Sequence, residues 1–373
     1  MKIYKIRYIG LTSLLVFLYF CLPKIDLFNI PGAPTGIRTQ DLISLILLFN
    51  QKTLFTLSRI LKNQTIFFTI LSIFTINLMG SIYFGTLFEF VLGWIRLFQY
   101  FIVGIASFHI LVSNYSLFIT IIFFQAIFSV MQFFKFLPVI DPGRGFLRTS
   151  EYAGTFGTAA ELAYFCTILS IVLLSVRENR ASFLVVLLPI FSGVRAYFLT
   201  VPFYLFARTK SLILKILFLL PFVAILIGIL VYFYDLLMPF ARSIQNLVLS
   251  TPPSLDNLKS IEGLEGSEDI ALGQRIGKWS TALSLLTKSS AAFFGTGLYS
   301  LGGTLDGGIL RMLTELGIPI TLFILFNLIK IDFLLFSIFI IINLFFDGFI
   351  SSVTMPIFIG FLLFKTLRIN VYK

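Results

Sequence analysis

Charged residues are scarce in this sequence. Of its 373 residues only 12% are Asp, Glu, Lys or Arg, about half the usual share of soluble domains. Hydrophobic residues make up 58%, and the mean hydropathy is +1.00. Too little polar surface remains to cover water-soluble cores, so the composition excludes a cytosolic enzyme and predicts an integral membrane protein.

Cysteine and histidine are also rare. Cys21 and Cys166 each lie within an apolar run, which excludes a disulfide framework and a cysteine metal site. The single histidine, His109, is predicted near the inner end of a membrane span, as a hydrogen-bonded residue of the helix bundle. Outside the segment 262–269 there is no acidic group at metal-ligand spacing, so the sequence predicts neither a metal nor a cofactor.

Apolar runs predict an all-α, polytopic fold of about twelve transmembrane helices, in one membrane domain over residues 1–373. The first run, 9–22, follows basic residues and lacks a small-x-small cleavage site, so it is interpreted as an uncleaved span. Runs such as 39–50 and the pair 181–193 and 195–207 are shorter than the roughly 20 residues that a helix needs to cross a bilayer. The remaining runs are 64–81, 86–112, 115–137, 159–176, 211–234, 307–329, 332–347 and 351–367.

The net charge of +11 follows the orientation rule for membrane proteins and does not indicate a nucleic-acid partner. If the N-terminus is cytoplasmic, basic residues should cluster before the first span and after each even-numbered span. Both termini are then predicted to be cytoplasmic. The basic residues at these places are Lys2, Lys5, Arg7, Lys52, Arg59, Lys62, Arg177, Arg180, Arg208, Lys210, Lys215, Lys330, Lys365, Arg368 and Lys373.

The one long hydrophilic stretch, residues 235–306, is predicted to be a large periplasmic loop. It contains Pro252-Pro253 and an acidic segment, and its second half predicts a short amphipathic helix over residues 280–287. Such a long loop between packed spans is more often functional than a linker.

Arginines on the predicted outer face oppose the positive-inside trend. Arginine suits bidentate contact with phosphate at a partly dehydrated site. The alternative is that each side chain reaches lipid headgroups or pairs with a nearby acid, as Arg311 could with Glu315 one helical turn later. The outer arginines that could contact phosphate are Arg144, Arg148, Arg195, Arg242, Arg275 and Arg311.

Several segments, taken in order, resemble the O-antigen polymerase and O-antigen ligase superfamily. The resemblance covers roughly residues 37–365, through degenerate motifs. These motifs are Ile37-Arg-Thr-Gln-Asp41, Arg144-Gly-Phe-Leu-Arg148 through Gly157, Ser192-Gly-Val-Arg195, Gly273-Gln-Arg275 through Leu283, Phe294-Gly-Thr-Gly297, and Asp306-Gly-Gly through Glu315-Leu-Gly317.

The resemblance implies a GT-C-like, metal-independent, inverting glycosyltransferase at the periplasmic face of the inner membrane. Its donor would be an undecaprenyl-diphosphate-linked oligosaccharide, and its partners membrane lipid and a chain-length regulator protein. The polymerase branch joins repeats, whereas the ligase branch transfers polymer to lipid A core. The ligase branch has a histidine before the span that begins here at Asp306, and this sequence has none there.

The transfer requires a stabilised leaving diphosphate and a base for the acceptor hydroxyl. By position in the family pattern, Arg195 and Arg275 are the predicted core pair. Asp306 is the first candidate base and Glu161 the second, although Asp306 could instead be a helix N-cap. Arg144, Arg148 and Arg311 are predicted to support the diphosphate, and Tyr152 and Trp279 to contact the sugar.

A secondary transporter or lipid-linked sugar flippase is the rival from another class, since twelve spans with buried charges suit it too. Within the membrane, Arg96 must face the bundle interior, and Glu89 lies seven residues before it on the same helical face. No repeat of one half in the other is visible, and the predicted arginines lie at one face, so the enzyme is favoured.

Overall fold

The computed structural model describes residues 10–24, 26–28, 36–137, 155–156, 159–176, 178–188, 200–209, 268–302, 305, 307–345 and 347–371. These residues are almost entirely helical, which confirms the predicted all-α class. A two-stranded antiparallel ribbon, β1 (Asp26–Phe28) with β2 (Ile37–Arg38), joins the first two helices.

The helices fall on either side of the stretch 210–267. The first set, in chain order, is α1 Leu11–Cys21, α2 Thr39–Leu48, α3 Gln51–Leu61, α4 Gln64–Phe84, α5 Leu87–Ser113, α6 Ser116–Phe133, α7 Ala159–Ser175, α8 Asn179–Leu187 and α9 Thr200–Arg208. The second set is α10 Glu268–Lys288, α11 Ala291–Phe294, α12 Gly308–Leu316, α13 Ile318–Ile331, α14 Phe333–Phe345 and α15 Thr354–Val371, with a 3₁₀ turn at Gly348–Ile350.

Within the part of the chain that the structure describes, three helices are long and apolar enough to cross a membrane: α4, α5 and α6. Six shorter apolar helices accompany them, within α1, α2, α7, α13, α14 and α15. The protein therefore has the character of a membrane protein. The predicted count of twelve spans remains a prediction, and the run 211–234 lies outside the described residues.

Two predicted helices have different bounds in the structure. The predicted span 307–329 is two helices, α12 and α13, separated at Gly317. The predicted short helix 280–287 is part of α10, which has 21 residues and begins at Glu268. The second half of the predicted loop 235–306 is therefore largely helical, from Glu268 onwards.

The chain divides into two compact units. Unit 1 comprises residues 1–67, 96–198 and 351–373, and unit 2 comprises residues 68–95 and 199–350. Two of the boundaries fall inside α4 and α5. No linker composition marks such a boundary, because both helices are apolar along their length, and the sequence was interpreted as one domain over residues 1–373.

Unit 1 is built around α1. Its Phe20 ring lies 5.1 Å from the Phe165 ring of α7 and 6.3 Å from the Phe118 ring of α6. The amide of Gln125 donates to the Phe20 carbonyl at 2.8 Å and to Thr155 Oγ1 at 2.6 Å. A buried polar side chain between apolar helices thus has its partners within the unit, as burial requires.

Contacts at the helix ends of unit 1 form two groups. One group includes Asn50 with Thr12 at 2.8 Å, Thr56 with His109 at 2.8 Å, and Tyr115 with Glu178 at 2.5 Å. His109 is thus hydrogen-bonded, as predicted. The other group joins the C-terminal end of α1 to the N-terminal ends of α7 and α15, through the charged residues described below.

In unit 2, the segment 295–302 packs against α4 and α5 at glycines. A Cβ on Gly80 would lie 2.8 Å from the Phe294 carbonyl oxygen, and a Cβ on Gly93 would lie 2.9 Å from Leu298 Cβ. Small residues at such positions let backbones approach closely, which is the usual basis of helix packing in membranes.

The break at Gly317 depends on its backbone conformation. Gly317 has φ +86°, and a Cβ there would meet the Phe293 carbonyl oxygen at 2.7 Å and the Gly295 nitrogen at 3.0 Å. Side chains other than glycine disfavour this left-handed region, and the atoms in the way are backbone atoms, which cannot move aside cheaply.

We therefore expect Gly317→Ala to destabilise the protein by about 2–4 kcal/mol, from backbone strain and overpacking together. The measurement is the thermal unfolding of the purified protein in detergent. Gly10→Ala is the matched control, since Gly10 has φ −65° and nothing within 4 Å of its Cβ position. Equal melting temperatures for Gly317→Ala and Gly10→Ala would contradict the account of the break.

Candidate functional site

Buried charges occur in both units. Burial of a charge in apolar surroundings requires a partner of opposite charge, with hydrogen bonds to the remaining polar atoms. Buried charged groups in a membrane protein mark a candidate functional site.

In unit 1, Lys24 and Glu161 form a buried ion pair. The Lys24 ammonium lies 2.5 Å from both Glu161 carboxylate oxygens, and both side chains are almost completely enclosed. Ser351 Oγ donates a third hydrogen bond to Glu161 Oε1 at 2.7 Å. The pair connects the chain after α1 to the first turn of α7 and the segment before α15.

A second ion pair in unit 1 joins Asp41 to Arg96. Arg96 donates to the Asp41 carboxylate and, at 2.6 Å, to the Gly36 carbonyl oxygen. The other Asp41 oxygen accepts the backbone N–H of Arg38 at 2.7 Å and completes a capping box at the start of α2. The partner of Arg96 in the structure is therefore Asp41, on another helix, whereas the sequence suggested Glu89.

These charges form one neighbourhood within unit 1. Arg38 acts electrostatically on both Lys24 and Glu161. The charges of Asp41, Arg96, Glu161 and Arg38 all act on the buried Tyr19 hydroxyl, which donates to the Ser352 carbonyl at 2.8 Å. We refer to Lys24, Arg38, Asp41, Arg96 and Glu161 as the unit 1 charge cluster. With three cations and two carboxylates, its described side chains carry an excess of positive charge.

In unit 2, Arg311 is completely buried between two carboxylates. Its guanidinium donates to Glu315 Oε1 at 2.8 Å and to Asp347 Oδ2 at 3.3 Å. The sequence left two partners open for Arg311, a phosphate group and the nearby Glu315, and the structure has the pair with Glu315. An enclosed guanidinium does not present itself to a diphosphate, so in this structure Arg311 is an internal counter-ion, contrary to its predicted supporting contact.

Asp347 also holds the segment that leads into α12. Its Oδ2 accepts the Leu305 N–H at 2.6 Å and its Oδ1 accepts the Gly307 N–H at 3.2 Å. The indole N–H of Trp279 donates to the Leu305 carbonyl at 2.8 Å. The described residues on both sides of position 306 are therefore anchored, one of them by α10 and both by Asp347.

At the break between α12 and α13, the last carbonyls of α12 bind the glycine-rich segment 295–302. The Thr314 carbonyl accepts the Thr296 N–H at 2.9 Å, and the Glu315 carbonyl accepts the Gly297 N–H at 3.2 Å and the Asn77 amide at 2.6 Å. Residue 319, which would pair with the Glu315 carbonyl in a continuous helix, is proline and has no N–H. The loop and Asn77 supply the missing donors.

Glu315 is tied to the same segment through its side chain. Its Oε1, which pairs with Arg311, also accepts the Leu301 N–H at 3.2 Å. We refer to Arg311, Glu315, Asp347, Asn77 and Trp279 as the unit 2 anchor set. These side chains hold the described residues 295–302, 305 and 307 and the start of α12 in one arrangement.

The predicted site residues are distributed unevenly. Glu161 belongs to unit 1, and Arg311 and Trp279 to unit 2. Arg275 lies on α10, one turn before Trp279, but only its backbone is described. Asp306, Arg144, Arg148, Arg195 and Tyr152 lie outside the described residues. Position 306 precedes the N-cap of α12, because Gly307 occupies that position.

Two predicted roles change with this geometry. Glu161 was the second candidate base, but in the structure its carboxylate is occupied by Lys24 and Ser351. Trp279 was predicted to contact sugar, and in the structure its indole N–H is bound to the Leu305 carbonyl. Both residues are structural in their observed contacts.

Sequence reasoning missed Asp347, Asn77 and Asp41. Each pairs with a residue at least 36 positions away, and short-range spacing carries no signal for such a contact. The break in the helix did have a signal, since Gly317 followed two residues later by Pro319 is typical of a helix end. In the described part of the chain, no three His, Cys, Asp or Glu side chains meet as a metal site would require.

We predict that Lys24→Met destabilises the protein by about 3–5 kcal/mol, because it leaves a buried carboxylate without its counter-ion. The double variant Lys24→Met/Glu161→Gln should recover much of this loss, since neither charge remains. Chemical unfolding in detergent measures both. Lys330→Met, at an exposed lysine, is the control. A single variant as stable as the control would mean that the pair is not held as the structure has it.

Comparisons with known proteins add no assignment. No protein family, curated protein or solved structure matches the chain. The function proposed below therefore depends on the residues and on the contacts described above.

Proposed function

We propose that this protein is a surface-polysaccharide polymerase of the O-antigen type. It joins undecaprenyl-diphosphate-linked oligosaccharide repeats at the periplasmic face of the bacterial inner membrane. The observation that carries the proposal is the meeting, in unit 2, of three motifs that are separate in sequence.

These motifs come from α10, from the segment after α11 and from the start of α12. Trp279 of the first motif binds the Leu305 carbonyl next to the third. Thr296 and Gly297 of the second motif bind the carbonyls of Thr314 and Glu315 in the third. A family resemblance made of degenerate motifs gains weight when those motifs are neighbours in space.

The chemistry assigns different tasks to the predicted residues. Arg275, on the anchored helix α10, supplies the guanidinium that stabilises the departing diphosphate, with Arg195, Arg144 and Arg148 in support. Asp306, between two anchored residues, accepts the proton of the acceptor hydroxyl. Arg311 keeps a positioning role, because its guanidinium is enclosed by Glu315 and Asp347.

The helix-end contacts support the predicted alternation of the spans. If spans alternate, Lys24, Glu161 and Ser351 all belong to the outer side, and they bind one another. Thr12, Asn50, Thr56, His109, Tyr115 and Glu178 all belong to the inner side, and their contacts also stay among themselves. Each described contact thus joins ends that the alternation places on the same side.

Two alternatives remain as candidates. An O-antigen ligase would transfer polymer to lipid A core, but its histidine is absent here, and His109 is bound to Thr56. A lipid-linked sugar flippase is favoured by a specific observation, the broken helix α12–α13, since interrupted helices bind substrates in transporters.

Purified full-length protein, reconstituted in proteoliposomes with lipid-linked repeat units, should convert them into a ladder of longer lipid-linked chains. In cells, loss of the gene should leave a single repeat on lipid A core when surface polysaccharide is separated by electrophoresis. A polysaccharide pattern with no repeat attached would instead indicate the ligase. Movement of repeats across the bilayer without elongation would indicate the flippase.

The roles of Asp306 and Arg275 can be separated from their structural effects. Asp306→Asn should lower the rate of elongation by about 10²–10⁴-fold with donor binding retained, as loss of a general base does. Arg275→Lys should weaken donor binding although the charge is kept, because an ammonium does not reproduce the guanidinium fork. Thermal unfolding serves as the control for folding. Full elongation activity in both variants would refute the assigned roles.

A further inference from the structure

The short helix α3, between the apolar helices α2 and α4, is buried on one side only. Thr53 and Thr56 are buried, and Thr56 is bound to His109 of α5. Most of the other α3 side chains are exposed. One narrow polar face therefore fastens α3 to unit 1, and the rest of its surface is open.

The open surface of α3 has two chemically different flanks. Lys52 and Arg59 are seven residues apart, about two helical turns, and so lie on the same flank. Leu54 and Leu61 have the same spacing. Successive residues of a helix are rotated by about 100° around its axis. Leu54 follows Lys52 by two positions, and Leu61 follows Arg59 by two, so the leucines lie on the flank opposite the basic pair.

The side chains of both flanks are exposed. Leu54 is 43% exposed and Leu61 is 42% exposed, although both are leucines. Lys52, Arg59 and the following Lys62 are also exposed, and the sequence of α3 contains no acidic residue. Phe55, next to the basic flank, is 72% exposed. Such a helix, with an apolar flank opposite a basic one, matches those that lie in the plane of a membrane surface.

The neighbouring helix α2 indicates which surroundings the apolar flank of α3 contacts. Leu42, Leu45, Ile46 and Phe49 of α2 and its end are all between 49% and 73% exposed. The chain turns at Asn50, whose side chain accepts the Lys52 N–H and caps α3 at 3.1 Å. The exposed apolar surface of the short apolar helix α2 thus continues directly into the apolar flank of α3.

We propose that α3 is an interfacial helix that binds the anionic headgroups of membrane phospholipids. Lys52 and Arg59 contact the phosphates, while Leu54 and Leu61 on the opposite flank enter the boundary of the acyl chains. Charge complementarity selects the occupant, since the exposed flank is cationic and carries no acid. This binding site is independent of the proposed polymerase activity.

The first test compares lipid binding to purified full-length protein by native mass spectrometry, with phosphatidylglycerol as the anionic probe and phosphatidylcholine as the neutral one. Lys52→Gln/Arg59→Gln should lower the affinity for phosphatidylglycerol by about fivefold per cation removed and leave phosphatidylcholine unchanged. Arg180→Gln/Lys330→Gln, which removes two exposed cations elsewhere, should keep the preference. An equal loss in both double variants, or no loss in the α3 variant, would overturn the proposal.

The second test locates the apolar flank. A fluorophore on Leu54→Cys should be quenched by acyl-chain spin-labelled lipids in nanodiscs more strongly than one on Lys52→Cys. The native Cys21 and Cys166 are buried, so the label reaches the introduced cysteine. Protection of both positions from lipid would show that a second copy or another protein covers α3, which would equally overturn the proposal.

Discussion

The broken helix α12–α13 sets the strictest requirement in unit 2. A backbone carbonyl buried away from water needs a donor, and a bilayer supplies none. At the break, Pro319 removes the donor that a continuous helix would have offered to Glu315. The N–H of Gly297 and the amide of Asn77 replace it, and the Thr296 N–H binds the neighbouring Thr314 carbonyl. The course of segment 295–302 and the glycines that let it approach α4 and α5 follow from this one requirement.

Charge burial imposes a second requirement on the same part of the chain. Arg311 is enclosed, and its charge is balanced by Glu315 from its own helix and Asp347 from the end of α14. Because Asp347 also accepts the N–H groups of Leu305 and Gly307, the balance of charge and the course of the backbone are coupled. A change at Arg311 would therefore reach the segment around position 306 without any direct contact with a substrate.

This coupling bears on how the proposed polymerase would work. A residue that accepts a proton must be held at a fixed place relative to the reacting hydroxyl, and small displacements cost large factors in rate. In unit 2 the anchors are the partly buried Trp279 of α10 and the buried Asp347 just beyond α14. Anchors of this kind are more rigid than a free loop. Unit 1 holds its own charges in a similar way, with Glu161 between Lys24 and Ser351.

The sequence alone determined the membrane character, the helical class and the approximate helix positions, because these depend on composition and local periodicity. It also offered the pairing of Arg311 with Glu315 as one of two alternatives, and it identified His109 as a bundle residue. Only the tertiary structure decided that Arg96 pairs with Asp41, that Glu161 pairs with Lys24, and that Asp347 anchors the entry to α12. These partners are far apart in sequence, and each was selected by the need to neutralise a buried charge, which local spacing does not encode. The break at Gly317 was determined partly by the sequence and partly by the tertiary structure. Its glycine and proline mark a helix end, although the apolar run continues across it. The hydrogen-bond donors that stabilise the break come from distant segments.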